Sequence, residues 1–507
     1  MRASAVAAVV LGAGGALAGG EASPARAQDW TTGGHDAQRS SWVRAEGKIS
    51  AANVRKPGFQ LLWTLKLDDE STAARAFTPP MLLDLVIGYR GFRALGFVAG
   101  PSDRVVAIDT DLGRVEWERR FASAAPSTGG SPACARETTP NLARPTNLAL
   151  PALVGGVGGG RRAGQPARGA VGDPGQGAVT LAQLGAPRRD APRGAPAPPT
   201  SPGQRPSPRP FPVVYVLSSD GMLRTLNVMN GADAEPPVPF LPPHANARGL
   251  IVVDDVAYVA SVRGCGEAPD GIWALDLGAN QVTTWRARGG IAGAVGPAFG
   301  PDGTVYVTTS DGQLVALEPR TLKPRGAYRS GGPAFISSPV IFDHRGNLLI
   351  AASSRDGRIR LLDQRRSAFI RTPVFFHPAA TAADALASWA DTDDTRWLLQ
   401  PTIRDSAIVA WKVVHQDSVA TLQPGWVSRD VPTPLAPAVV NGVIFAISRG
   451  GQPAVLHALD GATGKELWNS GSTIPPVVRA GLSAGGSQVY VATGDGALYA
   501  FGFPMEH

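Results

Sequence analysis

The chain of 507 residues carries a formal net charge of +7, is 43% hydrophobic, and holds 61 Gly, 45 Pro and only two Cys. That apolar content can bury a sizeable core, and it excludes a disulfide-dense miniature scaffold, a multi-thiolate metal centre and a low-hydrophobicity disordered chain. The positive charge does not describe a nucleic-acid face, because ten Arg against three acidic residues stand between Ala125 and Pro210, in a segment poor in Lys and aromatics; no nucleic-acid partner is expected.

The chain opens on Met1-Arg2, runs apolar from Ala5 to Ala18 and reaches Ala25-Arg26-Ala27 before Gln28. A charged start, a short apolar stretch and an A-x-A site read as a secretory signal over residues 1–27, cleaved at about Ala27. The stretch is Gly-rich and shorter than the ~20 apolar residues that span a bilayer, and no Cys stands at the cleavage site to take a lipid. The expectation is a protein of the periplasm or the medium, without a membrane anchor.

From residue 28 to 124 the pattern turns to β-strands. FQLLWTL around Trp63 is one strand, and GFVAGPSDRVVAIDTDLGRVEW, from Gly96 to Trp117, is a hairpin followed by a third strand. Residues 125–210 differ: GGVGGGRRAGQPARGAVGDPG and PAPPTSPGQRPSPRP hold too few large apolar groups to offset the ~1–2 kcal/mol per residue that ordering a backbone costs. A disordered insert is expected there, with polyproline character toward its end.

Residues 211–507 repeat one unit: a β-branched run, a polar turn with Asp-Gly, and a second apolar run. VVYVLSSDGMLRTLN, TVYVTTSDGQLVALE, LLIAASSRDGRIRLLD and QVYVATGDGALYAFG are the clearest copies, with Gly221, Gly312, Gly357 and Gly496 supplying the positive φ that tight hairpin turns demand. A looser copy, VAYVASVRGCGEAPDGIWALD, turns at Asp270-Gly271. The glycines recur at intervals of roughly 40 to 50 residues, the period of a propeller blade. The gap from Gly357 to Gly496 leaves room for two more copies, one in VIFAISRGGQPAVLHALDGATGKELW and a degenerate one in RWLLQPT, AIVAWKVV and LQPGWVS. With the copy before the insert, eight units result. The last lacks a closing strand, and the strand at Trp63 can supply it. The reading is an all-β, eight-bladed propeller of four-stranded antiparallel blades, its ring closed by the N-terminal strand.

Cys134 and Cys265 are an isolated pair, a disulfide candidate in an oxidising compartment, although the sequence gives no distance between them. Neither lies in a haem-attachment motif. GLSAG, with Ser483, matches a serine-hydrolase pattern but runs straight into a strand, where the required strand-to-helix elbow is missing. GATGK, Gly461 to Lys465, reads as a blade turn, and its spacing is wrong for a phosphate loop. The seven His are scattered without a zinc-site spacing, and His344, in FDHRGN, reads as a turn residue.

VYVTTSDGQLVALE and LHALDGATGKELW resemble the repeat of pyrroloquinoline-quinone (PQQ) propellers, the quinoprotein alcohol dehydrogenase-like family. Asp29-Trp30, Gly33-Gly34-His35-Asp36 and Gln38-Arg39 are similar to the opening of these proteins. The resemblance covers about Gln28 to Phe503 apart from the insert. It implies that the closing tryptophans Trp63, Trp117, Trp285, Trp426 and Trp468 pack between neighbouring blades. It also implies two functions. Dehydrogenase members hold calcium and the quinone at the propeller axis beside a carboxylate base, and many add a disulfide of adjacent cysteines. This sequence has no adjacent cysteines, and no Asp or Glu is assigned as ligand or base. Other members are cofactor-free scaffolds, among them a lipid-anchored envelope protein that helps to assemble outer-membrane proteins. The expectation is a non-catalytic scaffold that binds a protein or polymer on the loops of one propeller face, with no cofactor. The alternative is a PQQ- and calcium-dependent dehydrogenase of an alcohol or sugar.

Overall fold

A strand whose consecutive residues are all apolar is satisfied only where its sheet is covered on both faces. Val213–Leu217, Val256–Ser261 and Gln488–Thr493 are built on such runs, with polar residues only at their ends (Ser261, Gln488 and Thr493), and every residue in them is buried. The computed structural model places each as the second strand of a four-stranded antiparallel sheet, between neighbouring sheets of the same kind. It describes residues 29–67, 77–88, 91–122, 134, 139–148, 212–365, 368–371, 385–402, 406–417, 419–428, 430–449, 453–476 and 480–504. The leader expected to end at Ala27 lies outside them. By contacts the chain divides into Met1–Leu150 with Pro212–His507, and Pro151–Phe211; the propeller is the first unit, and the second lies outside the described residues.

Eight sheets follow one another as blades of an eight-bladed propeller. Their first, innermost strands are Met81–Gly88, Asn141–Ala143, Ala247–Val253, Ala298–Phe299, Val340–His344, Ala387–Ala390, Ala438–Val440 and Ala480–Gly485, in blades 1 to 8. Blade 8 takes its fourth strand from the other end of the chain: Gln60–Lys66 pairs antiparallel with Ala497–Gly502, Trp63 opposite Ala500. Closure therefore occurs where the incomplete last repeat placed it. The one α-helix among the described residues is the single turn Ala51–Val54.

The segment read as an insert is not uniform. Asn141–Ala143 pairs with Val213–Leu217 as the innermost strand of blade 2, and Leu142 and Ala143 are buried. A boundary drawn at 125 to 210 thus takes in a blade strand, and the long excursion leaves from inside blade 2 rather than from the junction of blades 1 and 2. Three residues among Gly, Pro and Arg carry too weak an apolar signal to stand out. Most of the remaining insert lies outside the described residues.

Three tryptophans on fourth strands share one contact. The Trp63 indole N–H donates to the Thr110 carbonyl (2.9 Å), that of Trp117 to Val228 (2.8 Å) and that of Trp426 to Gly461 (2.9 Å), each time in the next blade. Each indole also lies against a positive-φ glycine of that blade, Gly113, Gly231 or Gly464. The glycine turn exposes a carbonyl and, lacking Cβ, lets the ring approach. Trp285 instead packs against the buried cluster that includes Leu317 and Leu322, and the turn that follows Leu317 holds Pro319 and Arg320. Trp468 packs edge-on against Phe59 and Phe501, because its neighbour is the split blade.

The turn glycines also follow a rule. Gly221, Gly312, Gly357 and Gly496 have φ of 79°, 83°, 79° and 79°. Each follows an Asp that accepts a hydrogen bond from a hydroxyl two residues earlier: Ser218 to Asp220, Thr309 to Asp311, Ser354 to Asp356 and Thr493 to Asp495. The turn is thus an S/T-x-D-G unit, the carboxylate satisfying donors that the hairpin leaves unpaired.

Candidate functional site: the propeller axis

The innermost strands of a closed propeller turn unpaired N–H groups toward the axis, and a buried N–H without a partner is costly. Residues 29–46 meet this need by running round the axis and offering carbonyls to one blade after another. Leu82 N–H donates to Trp30 O, Arg144 to Thr31, Phe299 to Ala37, Ile341 to Gln38, Ser388 to Ser40 and Val439 to Ser41, all at 2.8–3.0 Å. Thr32 Oγ1 donates in turn to Leu250 O (2.8 Å), and Trp42–Val43 adds a parallel strand to Ala438–Val440. Ser487 of blade 8 donates to the Glu46 carboxylate. All eight blades are tied to this one segment.

Within it Arg39 is almost fully buried, at 1% exposure. Its guanidinium donates to the carbonyls of Pro297, Gly33 and Gly249 and to Thr32 Oγ1, at 2.5–3.1 Å. Burial pulls its pKa down to about 9, with the Asp36 charge opposing. Asp36 accepts from the Ser40 N–H and hydroxyl (2.9 and 2.5 Å) and lies 3.8 Å from Arg44. Burial pushes its carboxyl up, but His35, Arg44 and Ser40 outweigh this and hold it at about 2.

On the side where the inner strands begin, this segment floors a cavity of about 360 Å³. Its walls are Met81, Val295, Val340, Leu386, Leu435 and Leu482 with Pro79, Pro401, Pro434 and Pro437; Trp30, Gly33, Gly34, Arg39 and Ser41 belong to the floor. Two buried polar atoms there have no hydrogen-bond partner: Ser338 Oγ, on a residue 1% exposed, and Nε of the half-buried Arg449.

Comparison with solved structures finds many of the same architecture. The quinohemoprotein alcohol dehydrogenase from Comamonas testosteroni matches with a TM-score of 0.57 at 15% identity, over 94% of this chain and 81% of that one. A europium-containing methanol dehydrogenase matches at 0.55 and 12%, over 94% and 98%. BamB from Moraxella catarrhalis gives 0.49 and 14%, over 89% and 99%. No protein-family model and no curated protein sequence matches the chain. The fold is that of the quinoprotein alcohol dehydrogenase-like β-propellers.

The axis of this propeller differs from what calcium and a quinone require. Calcium takes six to eight oxygen ligands, mostly carboxylate and carboxamide, and the described residues lining the cavity include no Asp, Glu, Asn or Gln. No cluster of three or more His, Cys, Asp or Glu suited to a metal occurs among the described residues. The described residues lining the cavity do not fit a calcium-bound quinone.

The other singled-out residues fall elsewhere in the propeller. Ser483 is buried within the first strand of blade 8, and Gly461 to Lys465 forms a turn of blade 7. Cys134 and Cys265 are joined by a disulfide, their Cα atoms 5.5 Å apart. His344 ends the first strand of blade 5, where its ring stacks on His415 with centroids 4.9 Å apart. Burial, then repulsion by His415 and Arg396, pulls the His344 pKa down to about 4. Sequence reasoning missed that pair, since the two belong to different blades. It also missed Arg449 and Ser338, which have no motif and acquire meaning only from the cavity they share.

Proposed function

We propose that this chain is an exported, non-catalytic binding propeller rather than a quinone-dependent dehydrogenase. The observation that carries the reading is the axial cavity: its described lining is largely apolar, its polar side chains being Arg39, Ser41, Ser338 and Arg449, without a carboxylate or carboxamide, and residues of the axial segment 29–46 contribute to that lining. A dehydrogenase needs metal ligands and a base converging there. A disulfide between Cys134 and Cys265 suits an oxidising compartment, in keeping with the leader expected over residues 1–27. No helix among the described residues is long and apolar enough to cross a membrane.

For a protein or polymer partner, blade 1 offers a surface. Of the large apolar residues that stand exposed, Leu85, Ile87, Phe92, Leu112 and Val115 all belong to it, and Ile87 and Phe92, each 73% exposed, lie directly opposite one another near a hairpin tip. Clustered exposed apolar groups mark interaction sites more often than scattered ones do. The deciding experiment is calorimetric titration of the purified protein with PQQ, with and without calcium. No binding heat is expected; tight, calcium-dependent binding near one equivalent overturns the reading.

A further inference from the structure

The axial cavity has the dimensions of a small-molecule site. Roughly 300–1,000 Å³ is the size range of small-molecule sites, which combine apolar walls with a few convergent polar groups, and this one has about 360 Å³. Its two guanidinium groups are in opposite states. Arg39 is spent on three carbonyls and a hydroxyl. Arg449 donates only its backbone N–H, to Pro432 O; its side chain has no hydrogen bond or ion pair among the described residues, and its Nε is buried without a partner. Ser338 Oγ is likewise buried and unpartnered on the cavity wall.

A half-buried cation with a buried, unpartnered Nε, on a largely apolar cavity whose described lining holds no carboxylate, is complementary to a molecule with an apolar body and one negative end. The same arginine also borders a smaller pocket shared with Asp430. We infer that the axial cavity binds an apolar monocarboxylate, with Arg449 holding the carboxylate and Ser338 offering a hydroxyl to the same ligand. The inference rests on the reading that the axis does not hold a quinone. It adds a small-molecule site distinct from the partner surface on blade 1. A tricarboxylate such as PQQ would bring three charges to one available guanidinium, whereas a fatty or aromatic monocarboxylic acid brings one.

The test uses the whole protein and two pairs of probes, decanoate against decan-1-ol and 2-naphthaleneacetate against 2-naphthaleneethanol, followed by calorimetry. Each acid should bind roughly ten- to a hundredfold more tightly than its alcohol, as expected for a hydrogen bond to a charged group. Arg449→Leu should abolish that preference while leaving the alcohol affinity within about twofold, and Arg449→Lys should keep part of it. Leu482→Trp, which fills the cavity, should weaken acid and alcohol alike; thermal melts of each variant separate this from misfolding. Equal affinity for acid and alcohol in the wild type, or an acid preference that survives in Arg449→Leu, overturns the site. Calcium-dependent PQQ binding overturns the scaffold reading instead, and because that titration is independent of the acid-to-alcohol ratio the two failures are told apart. If only the chain acid or only the aromatic acid shows the preference, the ligand class narrows to that source.

Discussion

Glu46 accepts two hydrogen bonds from Ser487, one from its backbone N–H at 3.0 Å and one from its hydroxyl at 2.6 Å, across 441 residues of sequence. The carboxylate is buried and also accepts from Gly47 N–H at 2.6 Å. It pins the end of the axial segment to blade 8. Glu46→Ala should cost about 2–3 kcal/mol, since charged hydrogen bonds are lost and the Ser487 donors are left unpaired. Denaturant unfolding measures the loss, and Glu46→Gln should recover part of it.

The indole of Trp117 lies so close to Gly231 that a Cβ there would meet it at 2.6 Å, and Gly231 has φ of 68°. Gly231→Ala should therefore cost about 1–3 kcal/mol through backbone strain and overpacking together. Trp117→Phe keeps much of the ring but loses the bond to Val228, and should cost about 1–2 kcal/mol. The double variant should fall short of the sum, because both changes act on one contact; thermal melts of the three proteins read that shortfall.

The disulfide spans 131 residues of sequence, from Cys134 to a loop of blade 3. Cys134→Ser with Cys265→Ser should lower stability by roughly 2–4 kcal/mol, chiefly through the greater freedom of the unfolded chain. Adding reductant should lower the melting temperature of the wild type but leave that of the double variant unchanged.

Several carboxyls are held below their ordinary range. Asp36 sits at about 2. At Asp220 and Asp356 burial pushes the carboxyl up, but the hydrogen bonds and the arginines Arg224 and Arg360 prevail, and both shift down. A depressed folded pKa contributes stability that is complete above the unfolded value, near 3.9, and is lost as pH falls through the folded value. Unfolding free energy should fall as pH drops from about 4 toward 2. In Asp36→Asn the fall should be shallower and the stability at neutral pH lower; urea titrations at stepped pH measure both.

The fold was legible because each blade is a local unit: alternation, an Asp-Gly turn and a closing Trp all lie within some 40 residues of sequence. Ring closure was legible from an absence, the missing fourth strand after Phe501. The innermost strand of blade 2 escaped notice because Asn141, Leu142 and Ala143 are held there by Val213–Leu217, more than 60 residues later. The tryptophans were read as one class, yet Trp285 and Trp468 lack the carbonyl contact because the next blade does not present a glycine turn to them. The cavity was invisible for a different reason. Its lining comes from blades 1, 4, 5, 6, 7 and 8 and from the axial segment, and neither Arg449 nor Ser338 stands in a pattern that periodicity can detect.

Residues 29–46 are synthesised before any blade, yet their partners span all eight, the last at Ser487. Gln60–Lys66 likewise waits for Ala497–Gly502. Single blades can form as they emerge, but the axis stays unfilled and the ring open until almost the whole chain is present. A chain cut short before blade 8 would leave its first strand and its axial segment without their final partners, so late truncation should be felt at the beginning of the protein.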